Sequence, residues 1–412
     1  MIKTTTVRMN WLDAARIAAA FCIIAIHSTT DAYGWPFRNA QEGERLFTIL
    51  FRTTAELVST EYFILVSLFL LAFKLERKPT GYQSTLKLQA RRLLVPFAVW
   101  TVFYAFFSLF KAYQFGYGED ALNGLMNPLS WVDYFLLGSS QYHMHFLPTL
   151  FALILFYPLY QLATRYPLLG LVLIPLLFIR EYLTGWLWGH VPNQDVLEYL
   201  VHGVKILSYV GYGMAAYALF GWWKTKLDRD TSMKIMGFAL FALCLFFMIK
   251  LIQAGQSIES GEFAVRTGAF YYVHYLIPVL SLTIFMASQH LNWPDKLSDW
   301  SKYTFGMYLV HPAIIDIFDV LVMGIEFQPY QYTVLKYAVA ASASLGVAIL
   351  LGRTALLAWT VGLGPLPFAA KKTKADKPAK SDIETTSDTK AGTLGVLDLT
   401  DLTDGPDSRT AN

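Results

Sequence analysis

The sequence predicts an all-α integral membrane protein: about ten transmembrane helices around a polar cavity, followed by a disordered C-terminal tail. Of its 412 residues, 55% are hydrophobic and 16% aromatic, and only 15% are charged, whereas soluble domains are about a quarter charged. Mean hydropathy is +0.40. The apolar residues also gather in stretches of about twenty, the length a helix needs to cross a hydrocarbon core of about 30 Å. The net charge of +3 makes no case for nucleic acid, because the basic residues cluster beside the apolar stretches. Cys22 and Cys244 both lie inside such stretches. Two thiols so placed make neither a disulfide framework nor a metal site.

Hydropathy places the spans near 11–30, 54–73, 93–112, 144–163, 166–180, 202–223, 234–252, 268–287, 303–322 and 333–352. The first has a basic start and an apolar run, like a secretory signal. No small-residue cleavage site follows it and His27 interrupts it, so it is expected to stay as a span. The fifth is short, which suits a tilted, broken or re-entrant segment. Orientation follows from Lys and Arg in the short loops. Lys74, Arg77, Lys78, Lys87, Arg91 and Arg92 follow span two, and Lys224, Lys226, Arg229 and Lys234 follow span six. These fall on the same side as Lys3, Arg8, Arg165, Lys296 and Lys302. The other side has Arg38, Arg45, Arg52, Arg180 and Arg266, with Lys111, Lys205, Lys250 and Lys336 near span ends. Both termini are therefore expected in the cytoplasm.

Outside the spans, the loop from Gln114 to Tyr134 carries Glu119, Asp120 and Asp133 and is expected to be external. The loop after span five carries Trp186, Trp188 and His190, read as an interfacial aromatic belt, with a sugar-stacking platform as the alternative. From Lys371 the chain turns basic and then acidic, rich in Ser, Thr and Asp, with no aromatics. Residues 371–412 are therefore read as a disordered cytoplasmic tail, its basic start resting on anionic membrane lipid. LDLTDLTDG is either a docking motif or plain tail.

Ionisable residues inside spans mark function by default, since each costs at least about 2.5–3.5 kcal/mol at the centre. Arg16 and His27 are 11 residues apart, three turns plus about 20°, so they share one helix face. Asp13 lies on that face too. The rise between Arg16 and His27 is about 16 Å, half of a hydrocarbon core. A cation at the rim and an imidazole near the midplane suit an anionic ligand that enters from one side and reacts in the middle. The competing reading is a flank arginine and a packing histidine. Span two holds Glu56 and Glu61, and Glu61 must pair with a cation or be protonated. His143 and His145 open span four. No further ligand follows at metal spacing, so acid/base or hydrogen-bonding roles are expected. Span nine holds His311, Asp316 and Asp319, with Pro312 expected to kink the helix beside His311.

Together these pieces resemble the membrane acyltransferase family 3, bacterial proteins that O-acylate surface polysaccharides. Asp13, Arg16 and His27 match the family's Arg-X10-His signature. VSTEYFILVSLFLL is similar to its phenylalanine-rich second span, although Leu68 follows Ser67 where Gly is usual. YHMHFL resembles a His-Leu-Trp-Phe-Leu motif, with His143 kept and His145 in the Trp position. KYTFGMYLVHP is very similar to Thr-Phe-Gly-Ile-Tyr-Leu-X-His-Pro. One departure is at Arg-X-X-Arg before span three, where Gln89 stands in place of the first Arg and Arg92 matches the second, with Arg91 or Lys87 as candidates for the missing charge.

The resemblance implies a multi-pass protein of the bacterial inner membrane with cytoplasmic acetyl-CoA as donor, no metal, and a glycan or lipid-linked sugar as acceptor. Arg16, Arg92 and Arg91 would hold the phosphates of the acyl-CoA, with Asp13 orienting Arg16. His27 would take the hydroxyl proton, or carry the acyl group itself. His311 and Glu61 would act as further acid/base or hydrogen-bonding groups, and His143 and His145 would contact the acceptor. Arg16, His27 and His311 are expected to face one wet passage. Succinyl or another acyl-CoA is the alternative donor. A transporter or flippase for a lipid-linked sugar is the alternative class, although no repeated halves support it. A sensor signalling through the tail is a third.

Overall fold

The structure, a computed structural model, describes residues 9–366. The expected tail, 371–412, and the N-terminal Lys3 and Arg8 lie outside the described residues. Among those described, the chain is helical throughout, with no strand. In order the helices are α1 (Asn10–Ser28), α2 (Glu42–Ala55), α3 (Thr60–Arg77), α4 (Tyr82–Gln114), α5 (Gly118–Met126), α6 (Pro128–Leu136), α7 (Phe146–Ile154) and α8 (Tyr157–Arg165). Then come α9 (Leu173–His190), α10 (Gln194–Lys224), α11 (Arg229–Ser260), α12 (Ala269–Ala287), α13 (Leu297–Ser301), α14 (Thr304–Leu321) and α15 (Pro329–Arg353). Polar side chains close several helix starts. Asn127 accepts from the Leu129 amide, Asn193 from Val196 and Asp228 from Thr231.

Eight helical segments among the described residues are long and apolar enough to cross a membrane, or nine if α7 and α8, bent by 67° at their junction, form one broken span. The expected sixth span, 202–223, is the one not among these; it falls within α10, whose 31 residues are ample in length. Its tyrosines and glycines dilute its hydropathy. The expected short fifth span is longer than its sequence signal: Pro167–His190 runs as one 24-residue segment, so Trp186, Trp188 and His190 are helical and not in a loop. The expected loop 114–134 contains α5 and the start of α6.

Burial sorts the helices into centre and periphery. The apolar windows of α1, of α2 with α3, and of α14 are 72–78% buried, whereas those of α9 and α11 are 11% buried. α11 presents Phe238, Phe241, Leu245, Met248 and Ile252 outward, as a helix apolar all round does in lipid. The polar residues of α1, α3 and α14 therefore face protein.

α10 reaches this core because its packing face is small. A Cβ at Gly213 would lie 2.2 Å from the Tyr160 ring, one at Gly211 2.6 Å from the Leu173 backbone, and one at Gly221 2.5 Å from the Thr164 carbonyl oxygen. Close approach through small residues is how membrane helices gain packing energy, since lipid removes the hydrophobic drive to associate. Tyr160 is fully buried and donates to Leu153 O at 2.9 Å, so it has no free direction to move. Gly213→Ala is expected to cost about 1–3 kcal/mol of stability by overpacking, seen as a lower thermal midpoint in detergent. An unchanged midpoint would mean that α8 and α10 are not in this contact.

Candidate active site

α1, α4 and α14 line two cavities towards opposite ends of α4, with α3 and α7 completing one and α2, α5 and α15 the other. That helix has 33 residues, about 50 Å at 1.5 Å per residue. Arg92 on one cavity and Lys111 on the other stand about 28 Å apart along it.

The first cavity is a slot of about 880 Å³, its mouth included. Its walls are mostly apolar, among them Phe63, Leu70, Leu93, Leu147 and Phe305, and its polar lining includes Arg16, Lys74, Arg92, Gln89 and Ser67. Arg16 is buried, donates from Nη2 to Thr304 Oγ1 at 3.4 Å, and holds Nη1 3.9 Å from Asp13 Oδ1, beyond hydrogen-bond length. Asp13 in turn accepts from Ser301 Oγ at 2.5 Å. Asp13 therefore ties α1 to α13 and stands behind the guanidinium without entering the slot lining. The slot carries three cations and no carboxylate.

The second cavity encloses about 1470 Å³ with its mouth. His27, Arg52, Gln141, Tyr142, Asp316 and Lys336 are among its lining. One side is a balanced ion network. Lys111 donates to Asp316 at 2.9 Å and to Asp319 at 3.0 Å. Lys336 and the Tyr332 hydroxyl donate to Asp319 at 2.8 and 2.7 Å, and Gln141 to Asp316 at 3.0 Å. The two aspartates share a face of α14 and so bind lysines from both α4 and α15.

A layer of rings separates the cavities. Tyr308 lines the floor of the slot. Its ring centroid is 5.2 Å from that of His143, which is 5.4 Å from His311, which is 5.5 Å from His27. His27 packs with its centroid 4.4 Å from that of Tyr142, tilted by 36°, in the second cavity. The single passage expected for Arg16, His27 and His311 is thus two passages in this structure. Arg16 faces the slot, His27 faces the large cavity, and His311 is fully buried between them. The cause is the side chain of Tyr308, whose hydroxyl donates to the His143 carbonyl and closes the floor.

The local sequence explains the orientation of His311. Pro312 has no amide hydrogen, so the Tyr308 carbonyl one turn earlier loses its helical donor. His311 Nδ1 takes that place at 2.8 Å. A carbonyl only accepts, so Nδ1 carries the hydrogen and Nε2 keeps a lone pair. That Nε2 is buried and has no hydrogen-bond partner, as are both ring nitrogens of His143. The Tyr104 hydroxyl enters the same loosened turn, donating to Leu309 O at 2.6 Å. The helix runs on through Pro312. Buried polar atoms left without partners are uncommon, and three imidazole nitrogens of this kind lie between the two cavities.

The other expected site residues lie elsewhere. Glu61 accepts from Ser59 at 2.7 Å and from the Tyr209 hydroxyl at 2.5 Å, so its partners are the residue before α3 and a tyrosine of α10, not His27 or His311. His145 sits 3.3 Å from Lys205 Nζ and outside the lining of both cavities. His143 and His145 precede α7 in a turn, which turns them to different partners. Arg91 is exposed and does not line the slot, whereas Arg92, one position on, does; adjacent residues on a helix point about 100° apart. Gln89 does line the slot in the place where Arg was expected. Lys74 was read only as a flanking charge. Its position at the last turn of α3, on the Arg16 side, was the available signal.

Compared with known proteins, the chain matches the family model described as acyltransferase domain, acyltransferase family 3, over residues 9–353. The chain belongs to that family. No curated protein and no solved structure matches it. It is thus a multi-pass membrane acyltransferase. An acyltransferase needs an un-ionised base beside the reacting hydroxyl, and the imidazole layer offers open acceptor nitrogens.

In this acyltransferase, Pro312→Ala supplies an amide hydrogen that competes with His311 for the Tyr308 carbonyl. The helix gains a bond while His311 loses its fixed tautomer. Acyl transfer is expected to fall about tenfold or more, within the range of acid/base contributions, with no loss of thermal stability. Full activity in Pro312→Ala would remove the tautomer argument.

Proposed function

We propose that this acyltransferase moves an acetyl group from cytoplasmic acetyl-CoA to a hydroxyl of a surface or exported glycan, in the bacterial inner membrane with both termini in the cytoplasm. The observation that carries the reading is the pair of unlike cavities meeting at one imidazole layer. A narrow apolar slot with Arg16, Lys74 and Arg92 suits a donor with phosphates at one end and a thin, uncharged arm at the other. Charge-assisted contacts to phosphate are the strong class of hydrogen bond. A wide cavity with paired carboxylates, amide and tyrosine groups suits a polyhydroxyl acceptor, or a lipid-linked sugar.

The chemistry follows from the layer between them. The thioester carbonyl comes up the slot to Tyr308, and the acceptor hydroxyl comes to His27 from the other side. A rotamer change at Tyr308 opens the floor. His27 takes the hydroxyl proton as the oxygen attacks the carbonyl carbon. The carbon–sulfur bond then breaks, and the leaving thiolate receives that proton from the His27 imidazolium. Oxygen gains the acyl group, sulfur gains the hydrogen, and no net proton is released. His311 Nε2, fixed as an acceptor and without a protein partner, is open to a hydrogen bond from the substrate once the floor opens.

His27→Ala is expected to lower kcat by about 10²–10⁴-fold, the usual contribution of a positioned base. Lys74→Ala or Arg92→Ala is expected to raise KM for acetyl-CoA by about 10- to 100-fold, at about 1.5–3 kcal/mol for a hydrogen bond to a charged group, with a smaller effect on kcat. In cells, the O-acetyl content of the glycan should disappear with His27→Ala and with Arg16→Ala. Acetylation that persists in correctly inserted variants would defeat the assignment, and the mass of the added group separates acetyl from succinyl.

A further inference from the structure

Beside the large cavity lies a smaller pocket of about 320 Å³, whose lining includes Arg52, Glu56, Lys250, Gln253, Phe263 and Arg266. Glu56 is buried and accepts from Arg52 Nε at 3.1 Å, Lys250 Nζ at 2.5 Å and Arg266 Nη2 at 3.2 Å. His274 Nδ1 stands 3.9 Å away. Three cations thus converge on one carboxylate. The contrast with the other ion network is direct: there two lysines meet two aspartates and the charges cancel. Two of the three, Arg52 and Lys250, are largely buried, with 17% and 4% of their side chains exposed, and one carboxylate cannot compensate both, so a second anion is favoured there.

The pocket is continuous with the acceptor side. Arg52 and Phe263 line both it and the large cavity. Arg52 Nη1 also donates to Ile26 O at 2.9 Å and to Thr29 Oγ1 at 3.3 Å, on the turn of α1 that carries His27. An anion here therefore sits within reach of a molecule whose hydroxyl is at His27.

We infer that the Arg52–Lys250–Arg266 pocket binds an oxyanion carried by the acceptor, a sugar carboxylate or a sugar phosphate, making this an acyltransferase for an acidic glycan. The inference rests on the large cavity being the acceptor site. Arginine binds both groups bidentately, and Gln253 and Lys250 supply further donors. Arg52 passes the effect to the end of α1, so a seated oxyanion also fixes the position of His27.

The test is binding of glucuronate, glucose 6-phosphate and glucose to purified full-length protein, first in detergent and then in nanodiscs containing phosphatidylglycerol. At least one acidic sugar should bind tenfold or more tighter than glucose. Arg266→Gln, whose side chain is 39% exposed and so replaceable without a buried loss, and Lys250→Met should each remove that preference. If Lys250→Met fails to fold, Arg266→Gln alone decides. Equal binding of the three sugars, or an acidic preference that survives in Arg266→Gln, overturns the inference. So does acidic-sugar binding in detergent that is lost in phosphatidylglycerol nanodiscs, since a lipid headgroup is then the natural occupant. Acetyl-CoA affinity, measured in parallel, reports on the other cavity. Its absence from wild type would defeat the donor reading and leave the sugar comparison standing.

Discussion

Pro312 leaves the Tyr308 carbonyl without its helical donor, and the His311 imidazole fills the gap. Much of the centre depends on that substitution of a side chain for an amide. It fixes one nitrogen of His311 as donor and turns the other, bare, towards the space between two cavities. It also places Tyr308, whose hydroxyl reaches the His143 carbonyl and closes the slot. A membrane helix tolerates proline where neighbouring side chains satisfy the freed carbonyl. Here that side chain is His311 itself, while Tyr104 of α4 donates to the next carbonyl, Leu309 O.

Charge inside the protein follows two patterns. Lys111, Lys336, Asp316 and Asp319 form a closed set in which each carboxylate meets at least one ammonium. This joins α4, α14 and α15 at the end where the large cavity opens, and it resists the collapse that an unpaired buried charge would cause. At Glu56 the pattern differs, with three cations on one carboxylate. The three imidazoles between the slot and the large cavity bring polar atoms without fixed charge.

Several elements were legible in the sequence. The spacing of Arg16 and His27 required one face of one helix, and α1 supplies it. The Asp316–Asp319 spacing required a shared face, and two lysines occupy it. Span lengths were less legible: α10 hides its length behind tyrosines and glycines, because hydropathy measures transfer to lipid while this helix is packed against protein. Glu61 also had to find partners, but no local pattern names Tyr209, which lies on a distant helix.

Sequence alone determined the class, since apolar stretches of helical length leave no other solution in lipid, and it determined which ionisable residues had to face inward. The fold decided how they are grouped. A step of one residue, about 100° on a helix, places Arg92 on the slot and its neighbour Arg91 outside it. Tyr308 divides one expected passage into two. Arg52 and Arg266, read from the chain as flanking charges, meet buried Lys250 at Glu56. Helix periodicity is local and can be counted along the chain, whereas the facing of one helix towards another depends on packing that only the whole bundle sets.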